Sequence, residues 1–339
     1  MTLLLVKTGD RFVRVERRTA VLSIALVATI LTVGLLGLCY GASWKSPGDV
    51  IAALAGTGDS VVVVRDWRLP RVLAAIVFGA ALGVAGAIFQ NLTRNPLGSP
   101  DVIGLDAGAY TGTLVALTVL SGTSVQLATS SVIGGLLVAA TIYLLAMRGG
   151  VSGLRLIIIG IAVNAMVTAL NSWIVLRAEL EVAIAAVGWS AGSLNGVDWA
   201  DVALPLAIIV VLLAAMVTRA GAVHQAALGN AVAATTGVRL GRLRLTMIAI
   251  GVGLTATVTA VAGPIAFIAL AAPQIGRRLA RAPGVPLLPA ALCGAVLLQV
   301  ADLGAQLLLA PVSLPVGVVT TAIGGAYLIW LLTTEVKRS

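Results

Sequence analysis

Residues 72–89 read VLAAIVFGAALGVAGAIF, a run without a charged or hydrogen-bonding side chain. The next stretch of note, 94–101, reads RNPLGSPD and carries two charges, an Asn, a Ser and two prolines. A second apolar run, 102–120, follows directly. Because about 20 apolar residues cross the hydrocarbon core as a helix, this pattern predicts two membrane helices joined by a tight turn. Pro96 and Pro100 end one helix and start the next.

Similar runs recur along the chain, which has 339 residues, 59% of them hydrophobic and 10% charged. A soluble domain of this length would need more charge to cover its surface. We therefore predict an all-α polytopic membrane protein, a single domain over 1–339 with a cytoplasmic N-terminal segment, 1–19. Ten spans are expected: 20–40, 70–92, 102–121, 126–147, 155–176, 200–218, 244–263, 265–281, 287–309 and 316–333. The eighth is short and contains Pro264 and Pro273, and 182–194 is too short to span.

The basic residues orient this chain in the bilayer. With the N-terminus inside, 17 of the 22 lysines and arginines fall on the cytoplasmic side and 5 fall outside. The opposite orientation reverses the ratio, so the distribution predicts both termini in the cytoplasm. The net charge of +9 then follows from topology, and nucleic acid is not expected as a partner.

Two connecting loops are unusually long. The outer loop, 41–67, contains Asp49, Asp59 and Asp66. The inner loop, 219–243, includes an Ala-rich stretch, 225–235, that favours a short helix beside the membrane.

Glycines at four-residue spacing favour close approach of helix backbones. They form three sets: Gly79 and Gly83; Gly104, Gly108 and Gly112; Gly188, Gly192 and Gly196.

Enzyme and metal signatures are missing from the sequence. No GxxxxGK[ST] motif occurs, so no ATP site is expected in this chain. The single histidine, His224, and two distant cysteines, Cys39 and Cys293, predict no metal site and no catalytic residues. Asp302 is the main charged residue within a span, and it either bonds to neighbouring helices or couples transport to protons. Uncharged polar residues in the spans, among them Gln90, Asn164 and Asn171, favour a path for a solute.

The chain resembles the FecCD-type permeases of bacterial ABC importers, which take up ferric siderophores, haem or cobalamin. The resemblance runs from about residue 60 to the end, and it is strongest to the ferric-enterobactin permease subunits. The stretches that carry it are 68–109, LIIIGIAVNAM (156–166), GWSAGSLNGVDW (188–199), LGNAVAATTGV (228–238), AGPIAFIALAAPQIGRRL (262–279) and LPVGVVTTAIGGAYLIWLL (314–332).

The resemblance implies a multi-pass subunit of the bacterial inner membrane with about ten helices. Two permease subunits would form the path, two ATP-binding subunits carrying ATP and Mg²⁺ would dock from the cytoplasm, and a siderophore-binding protein would dock from outside. No cofactor is expected in this chain itself.

Residue roles follow from the same resemblance. The ATPase-coupling positions are Gln225, Ala226, Leu228, Gly229, Ala233, Gly237 and Val238. The binding-protein docking positions are Arg65, Arg68 and Arg71, and the translocation-path positions are Gln90, Asn164, Asn171, Trp189, Ser193 and Asn195. The signature-loop positions are Asn95, Pro96, Leu97 and Pro100, and they are expected to brace the ATPase-facing end of the path.

Three positions depart from the family pattern. Gln274 follows Pro273 where many members have His, Gln306 stands near a position that is basic in some members, and Ser313 replaces a frequent Glu. The last two suggest an asymmetric outer surface, which favours a paralogous partner subunit over a homodimer. A haem or cobalamin importer, and a secondary carrier that needs no ATPase, remain as alternative interpretations.

Overall fold

The computed structural model describes residues 3–8, 11–41, 43–101, 104–120, 122–147, 153–282 and 284–336. Within these ranges the fold is a bundle of α-helices. Their bounds are α1 Arg17–Cys39, α2 Pro47–Ala55, α3 Leu69–Thr93, α4 Leu105–Val119, α5 Ser124–Met147, α6 Gly153–Arg177, α7 Leu180–Ser190, α8 Trp199–Ala227, α9 Asn230–Thr235, α10 Leu240–Ala262, α11 Ile268–Ala280, α12 Leu287–Leu307 and α13 Val316–Val336.

A two-stranded antiparallel hairpin precedes the helices. Strand β1, Leu3–Thr8, pairs with β2, Arg11–Glu16, in a register that places Leu3 opposite Glu16. The sequence analysis gave the segment 1–19 no structure of its own, so this hairpin was missed. The all-α prediction holds for the part of the chain that follows it.

Seven described helices are long and apolar enough to cross a membrane: Arg17–Cys39, Val63–Thr93, Val125–Ala146, Arg155–Arg177, Trp199–Ala227, Leu240–Ala262 and Leu287–Leu307. The other three predicted spans correspond to α4, α11 and α13. Helices α4 and α11 have 15 and 13 residues. At about 1.5 Å per residue, both are shorter than the ~30 Å hydrocarbon core. The one predicted partial helix, 182–194, corresponds to α7, which begins two residues earlier and ends at Ser190.

The outer loop contains regular structure that the sequence analysis missed. Helix α2 begins with a capping box, because the Ser46 side chain accepts from the Asp49 N–H and the Asp49 carboxylate accepts from the Ser46 N–H. A Ser followed three residues later by an acid is a known start signal for helices. A π-helical segment, Val63–Arg68, then leads directly into α3.

The inner loop is also more helical than predicted. Helix α8 does not end near residue 218 but continues to Ala227, and α9 is separate. The single helix predicted over 225–235 is therefore wrong in its bounds. The break lies at Gly229, whose φ of 125° is a conformation that side chains with a Cβ rarely adopt.

Helix α3 lies at the centre of the bundle and packs on α12. A Cβ atom at Gly79 or Gly83 would collide with the backbone of Gly294 or Ala290, so the predicted close approach is confirmed. Glycines on α4 approach α5 in the same way. The third set was predicted wrongly in part, because Gly188 and Gly196 have no neighbour within 4 Å in the described chain.

Candidate functional site

The end of the bundle where α3 begins is called the outer end, after the topology predicted from the basic residues. There Arg68 caps a helix. Its Nη1 donates to the carbonyl oxygens of Leu38 at 2.8 Å and Cys39 at 2.9 Å, and its Nη2 donates to Ser43 O at 2.7 Å. The Leu38 and Cys39 carbonyls end α1 and lack intrahelical donors, whereas Ser43 lies in the loop that follows. A cation at a helix C-terminus also interacts favourably with the helix dipole. The Arg68 side chain therefore stabilises the end of α1 and the start of the loop that follows.

Arg71 also stabilises the fold, through an ion pair between α3 and α12. Its Nη2 donates to Asp302 Oδ1 at 2.8 Å and its Nε donates to Oδ2 at 2.9 Å. Gln306 Nε2 donates to the same Oδ2 at 3.0 Å. Asp302 is 4% exposed. The bidentate geometry supports the structural interpretation of Asp302 over a role in proton coupling.

Arg65 differs from these two because its side chain is exposed. Its Nη2 donates to Leu54 O, at the end of α2, at 2.8 Å. The indole Nε1 of Trp199 donates to the Arg65 carbonyl at 2.8 Å. Among the three predicted docking arginines, Arg65 has the side chain most accessible to a partner protein.

A cavity of about 710 Å³ lies beside these arginines at the outer end. It has mixed charge, since Asp66 and Asp198 line it together with Arg68 and Arg71. The two departures noted in the sequence, Gln306 and Ser313, line the same cavity, with Tyr40 and Trp67.

A second cavity of about 630 Å³ lies against α4 and α6. The predicted path residues Asn164 and Asn171 line it, as do Asp101 and Asp106. Asn171 is buried and structural in part, since its Nδ2 donates to Ala107 O at 2.9 Å and its Oδ1 accepts from Thr111 at 2.7 Å. Thr259 donates to Asp106 Oδ1 at 3.3 Å.

Trp189 lies beside this second cavity, where its ring stacks on Tyr110. The ring centroids are 6.0 Å apart and the planes differ by 7°. Tyr110 and Ser190 line the cavity. Tyr110 was not predicted as a site residue, although it lies four residues after Asp106 and therefore on the same face of α4.

Ser193 and Asn195 shape a turn outside the second cavity. The Ser193 N–H donates to Ala262 O at 2.7 Å, and the Asn195 N–H donates to Ser193 Oγ at 3.0 Å. Asn195 Nδ2 reaches Ser313 O at 3.3 Å. Ser193 therefore connects the segment after α7 to the end of α10, and Asn195 connects it to the segment before α13. Neither residue is among those that line this cavity.

Gln90 does not line a path, which corrects its predicted role. It is 2% exposed and lies between α3 and α11. Its Nε2 donates to Leu270 O at 3.1 Å, and its Oε1 accepts from Gln274 Nε2. The sequence correctly predicted that the Gln90 amide needs hydrogen-bond partners, but these partners belong to helix α11 and are not water.

The signature loop is the tight turn predicted from its prolines. The Leu97 N–H donates to Asn95 Oδ1 at 2.9 Å, and the Gly98 N–H donates to Asn95 O at 3.0 Å. Pro96 and Leu97 are exposed at its tip, whereas Pro100 is buried.

The predicted coupling positions fall into two groups. Leu228 and Gly237 are exposed, and Val232 between them is exposed as well. Ala233 is 0% exposed, and Gln225, Ala226, Gly229 and Val238 are partly buried. Ala233 thus faces the protein interior and does not offer a surface for contact.

Metal chemistry finds no support in the described residues. No three His, Cys, Asp or Glu side chains lie together there as a metal site would require. Cys39 and Cys293 are both free, buried thiols. The sites described above offer hydrogen bonds, charge and aromatic surface.

Comparison with known proteins decides the family. The FecCD transport family matches residues 27–334, which is most of the chain. The chain belongs to the FecCD transport family. Its 47% identity to the ferric enterobactin transport system permease protein FepG of Escherichia coli (strain K12) covers 96% of this chain and 99% of FepG.

Two further relatives of this FecCD chain are informative. It is 34% identical to the vitamin B12 import system permease protein BtuC of Salmonella paratyphi A, over 95% of this chain and 98% of BtuC. A solved metal-chelate type ABC transporter in an inward-facing conformation has a TM-score of 0.82 and 25% identity, covering 93% of this chain and 99% of that one. The helical fold of the FecCD chain thus matches a solved permease over nearly its full length.

Proposed function

We propose that this chain is the membrane-spanning permease subunit of an ABC importer for a ferric siderophore. The observation that carries the proposal is the 47% identity to a ferric enterobactin permease, which extends over nearly the whole of both chains. Energy would come from ATP hydrolysis on separate subunits that carry ATP and Mg²⁺, since this sequence has no phosphate-binding loop of its own. The chain is a transport component and not an enzyme.

Among the candidate substrates, a ferric siderophore is favoured over haem and cobalamin. Identity to the vitamin B12 permease is 34%, well below the 47% to the ferric enterobactin permease. A catecholate siderophore is therefore the first substrate to test. An ATPase-independent carrier is not favoured, because the relatives over the full length are named as parts of transport systems.

The proposed topology has ten membrane segments with both termini in the cytoplasm of the inner membrane. The seven long apolar helices would be completed by α4, α11 and α13. Short helices within a membrane are tolerated where surrounding helices satisfy the freed backbone groups. The excess of basic residues on one side supports the orientation.

For coupling, the exposed side of the segment from Leu228 to Gly237 would contact the ATPase. Leu228 is 64% and Val232 is 44% exposed, which is high for apolar side chains outside the bilayer. Gly229 and Ala233 are not part of this surface. Gly229 allows the chain to turn between α8 and α9, and Ala233 packs toward the protein interior. Gln225, Ala226 and Val238 would support the segment from its base.

At the outer face, Arg65 is the proposed contact for acidic residues of the siderophore-binding protein. Such exposed charges guide and orient docking more than they add affinity. Arg68 and Arg71 would shape this face indirectly, by fixing α1 and α12. The mixed surface around Gln306 and Ser313 favours a paralogous permease subunit as the second half of the importer.

A transport assay tests the proposed function. A strain that lacks this gene should fail to take up radioiron-labelled ferric enterobactin and should recover uptake when the chain is restored together with its ATPase. Hydroxamate and cobalamin probes serve as comparisons. Recovery of cobalamin uptake alone, or recovery without any ATPase subunit, would contradict the proposal.

A further inference from the structure

Helices α3 and α11 touch through their backbones near the signature loop. Pro273 has no N–H, so the carbonyl of Ala269 lacks its intrahelical donor. Gly86 of α3 lies against that carbonyl, and a Cβ atom at position 86 would collide with it. The two helices therefore cannot separate or rotate here without losing a close contact.

One turn further along, two buried amides extend this contact. Gln90 Nε2 donates to Leu270 O at 3.1 Å, and Gln274 Nε2 donates to Gln90 Oε1. Gln90 is 2% and Gln274 is 5% exposed. Removing one partner from such a pair leaves a buried polar group unsatisfied, which costs more than the bond itself is worth.

Gln274 also reaches the signature loop. Its Nε2 lies 3.5 Å from the carbonyl oxygen of Pro96, at the exposed tip. The tip of the loop is thus attached to α11 through Gln274.

One end of the loop lies near the end of α8. Arg94, the first residue of the loop, and Asn91 of α3 line a small cavity of about 40 Å³ together with Val223 and Ala226 of α8. Asn91 Nδ2 donates to Val285 O at 3.0 Å, which connects this end of α3 to the segment after α11. Because α8 leads directly into the proposed coupling segment, 228–237, the Arg94 end of the loop lies between the base of that segment and the contact of α3 with α11.

The geometry points to Gln274 as a positioning residue for ATPase coupling, which holds the signature loop against α11 so that movement of the coupling segment reaches α3 and α11. This inference rests on the proposed importer function. It assigns the loop tip a fixed place, and it explains why an amide that lines none of the cavities described above is buried at this position. The amide suits this task because it can donate to Gln90 and Pro96 together.

The test uses the complete importer in proteoliposomes, with its ATPase, partner subunit and binding protein, and radioiron-labelled ferric enterobactin as the probe. Gln274→Met keeps the length of the side chain but has no amide. It should raise the ATP hydrolysed per iron delivered by about tenfold, the scale of a typical coupling energy. Gln274→His, which keeps an N–H donor, should restore most of the wild-type ratio.

Gln299→Met is the matched control, because Gln299 is a buried glutamine of α12 away from the loop. It should shift the thermal midpoint of the detergent-solubilised complex without changing the ATP-to-iron ratio. An unchanged ratio in Gln274→Met, or an equal rise in Gln299→Met, would overturn the inference. If Gln274→Met does not assemble, Gln274→Asn, whose amide is too short to reach Pro96, provides the same readout.

If the proposed importer function is wrong, the same assay gives a different result. The wild-type complex itself would then deliver no iron from the siderophore, whatever residue stands at position 274.

Discussion

The two ends of α3 are fixed to their neighbours by different chemistry. At the outer end, Arg71 forms a bidentate ion pair with Asp302 of α12. At the inner end, Gln90 forms an uncharged amide pair with Gln274 of α11. Losing one member of a buried charged pair leaves a larger penalty than losing one member of an uncharged amide pair. We infer that both ends of α3 are fixed, and that the outer contact costs more free energy to break than the inner one.

The largest expected effect is at the outer end. Asp302→Leu leaves Arg71 without its partner in a mostly buried site, and it should destabilise the subunit by about 3–5 kcal/mol. Thermal unfolding in detergent, together with the yield of assembled complex, measures this. The double variant Arg71→Met with Asp302→Leu should recover most of the loss, since no charge is then stranded. A double variant as unstable as the single one would show that the pair itself, and not the stranded charge, matters.

A smaller loss is expected at the inner end. Gln90→Leu removes one hydrogen bond from the Gln274 amide and one from the Leu270 carbonyl, both of them buried, which should cost about 1–3 kcal/mol. The same unfolding measurement applies, with Thr141→Val on an exposed position of α5 as the control. A loss equal to that of Asp302→Leu would remove the contrast between the two ends.

Gln306→Leu should have a still smaller effect. Asp302 loses one hydrogen bond but keeps its ion pair, so we expect about 1 kcal/mol of destabilisation. Because this side chain also lines the outer cavity, binding-protein affinity is measured alongside the unfolding midpoint. A loss as large as that of Asp302→Leu would mean that the ion pair depends on the amide.

The smallest effect concerns the exposed arginine beside the outer contact. Arg65→Ala should weaken docking of the binding protein by no more than about fivefold, as expected for an exposed ion pair of at most ~1 kcal/mol. Added salt should reduce docking of the wild type but have less effect on this variant. Equal salt dependence in both would remove Arg65 from the docking surface.

Local sequence patterns predicted the parts of the fold that depend on local chemistry. The apolar runs located most of the helices within a few residues, because span length and side-chain hydropathy are set by the bilayer, but they ended α8 nine residues too early. The glycine spacing found the contacts of Gly79 and Gly83 with α12. The capping box at Ser46 was present in the sequence and could have revealed α2.

The candidate sites were harder to predict because their partners are distant in sequence. Asp302 bonds to Arg71 across 231 positions, and Gln274 bonds to Gln90 across 184. Polarity within a span indicates that a partner is required but does not identify it. For this reason Gln90 was assigned to the path and Ala233 to a contact surface, although both side chains are buried. The docking role of Arg68 and Arg71 stays a prediction.

The length of α8 has a mechanical consequence. With 29 residues at about 1.5 Å each, this helix extends ~43 Å, whereas the hydrocarbon core is ~30 Å thick. About two turns of a helix that stands upright would therefore extend beyond the hydrocarbon core, and α9 follows the end of α8. A small tilt of α8 inside the bilayer would then displace α9 by a larger distance. The extended part of α8 would thus act as a lever between the ATPase and the packed helices.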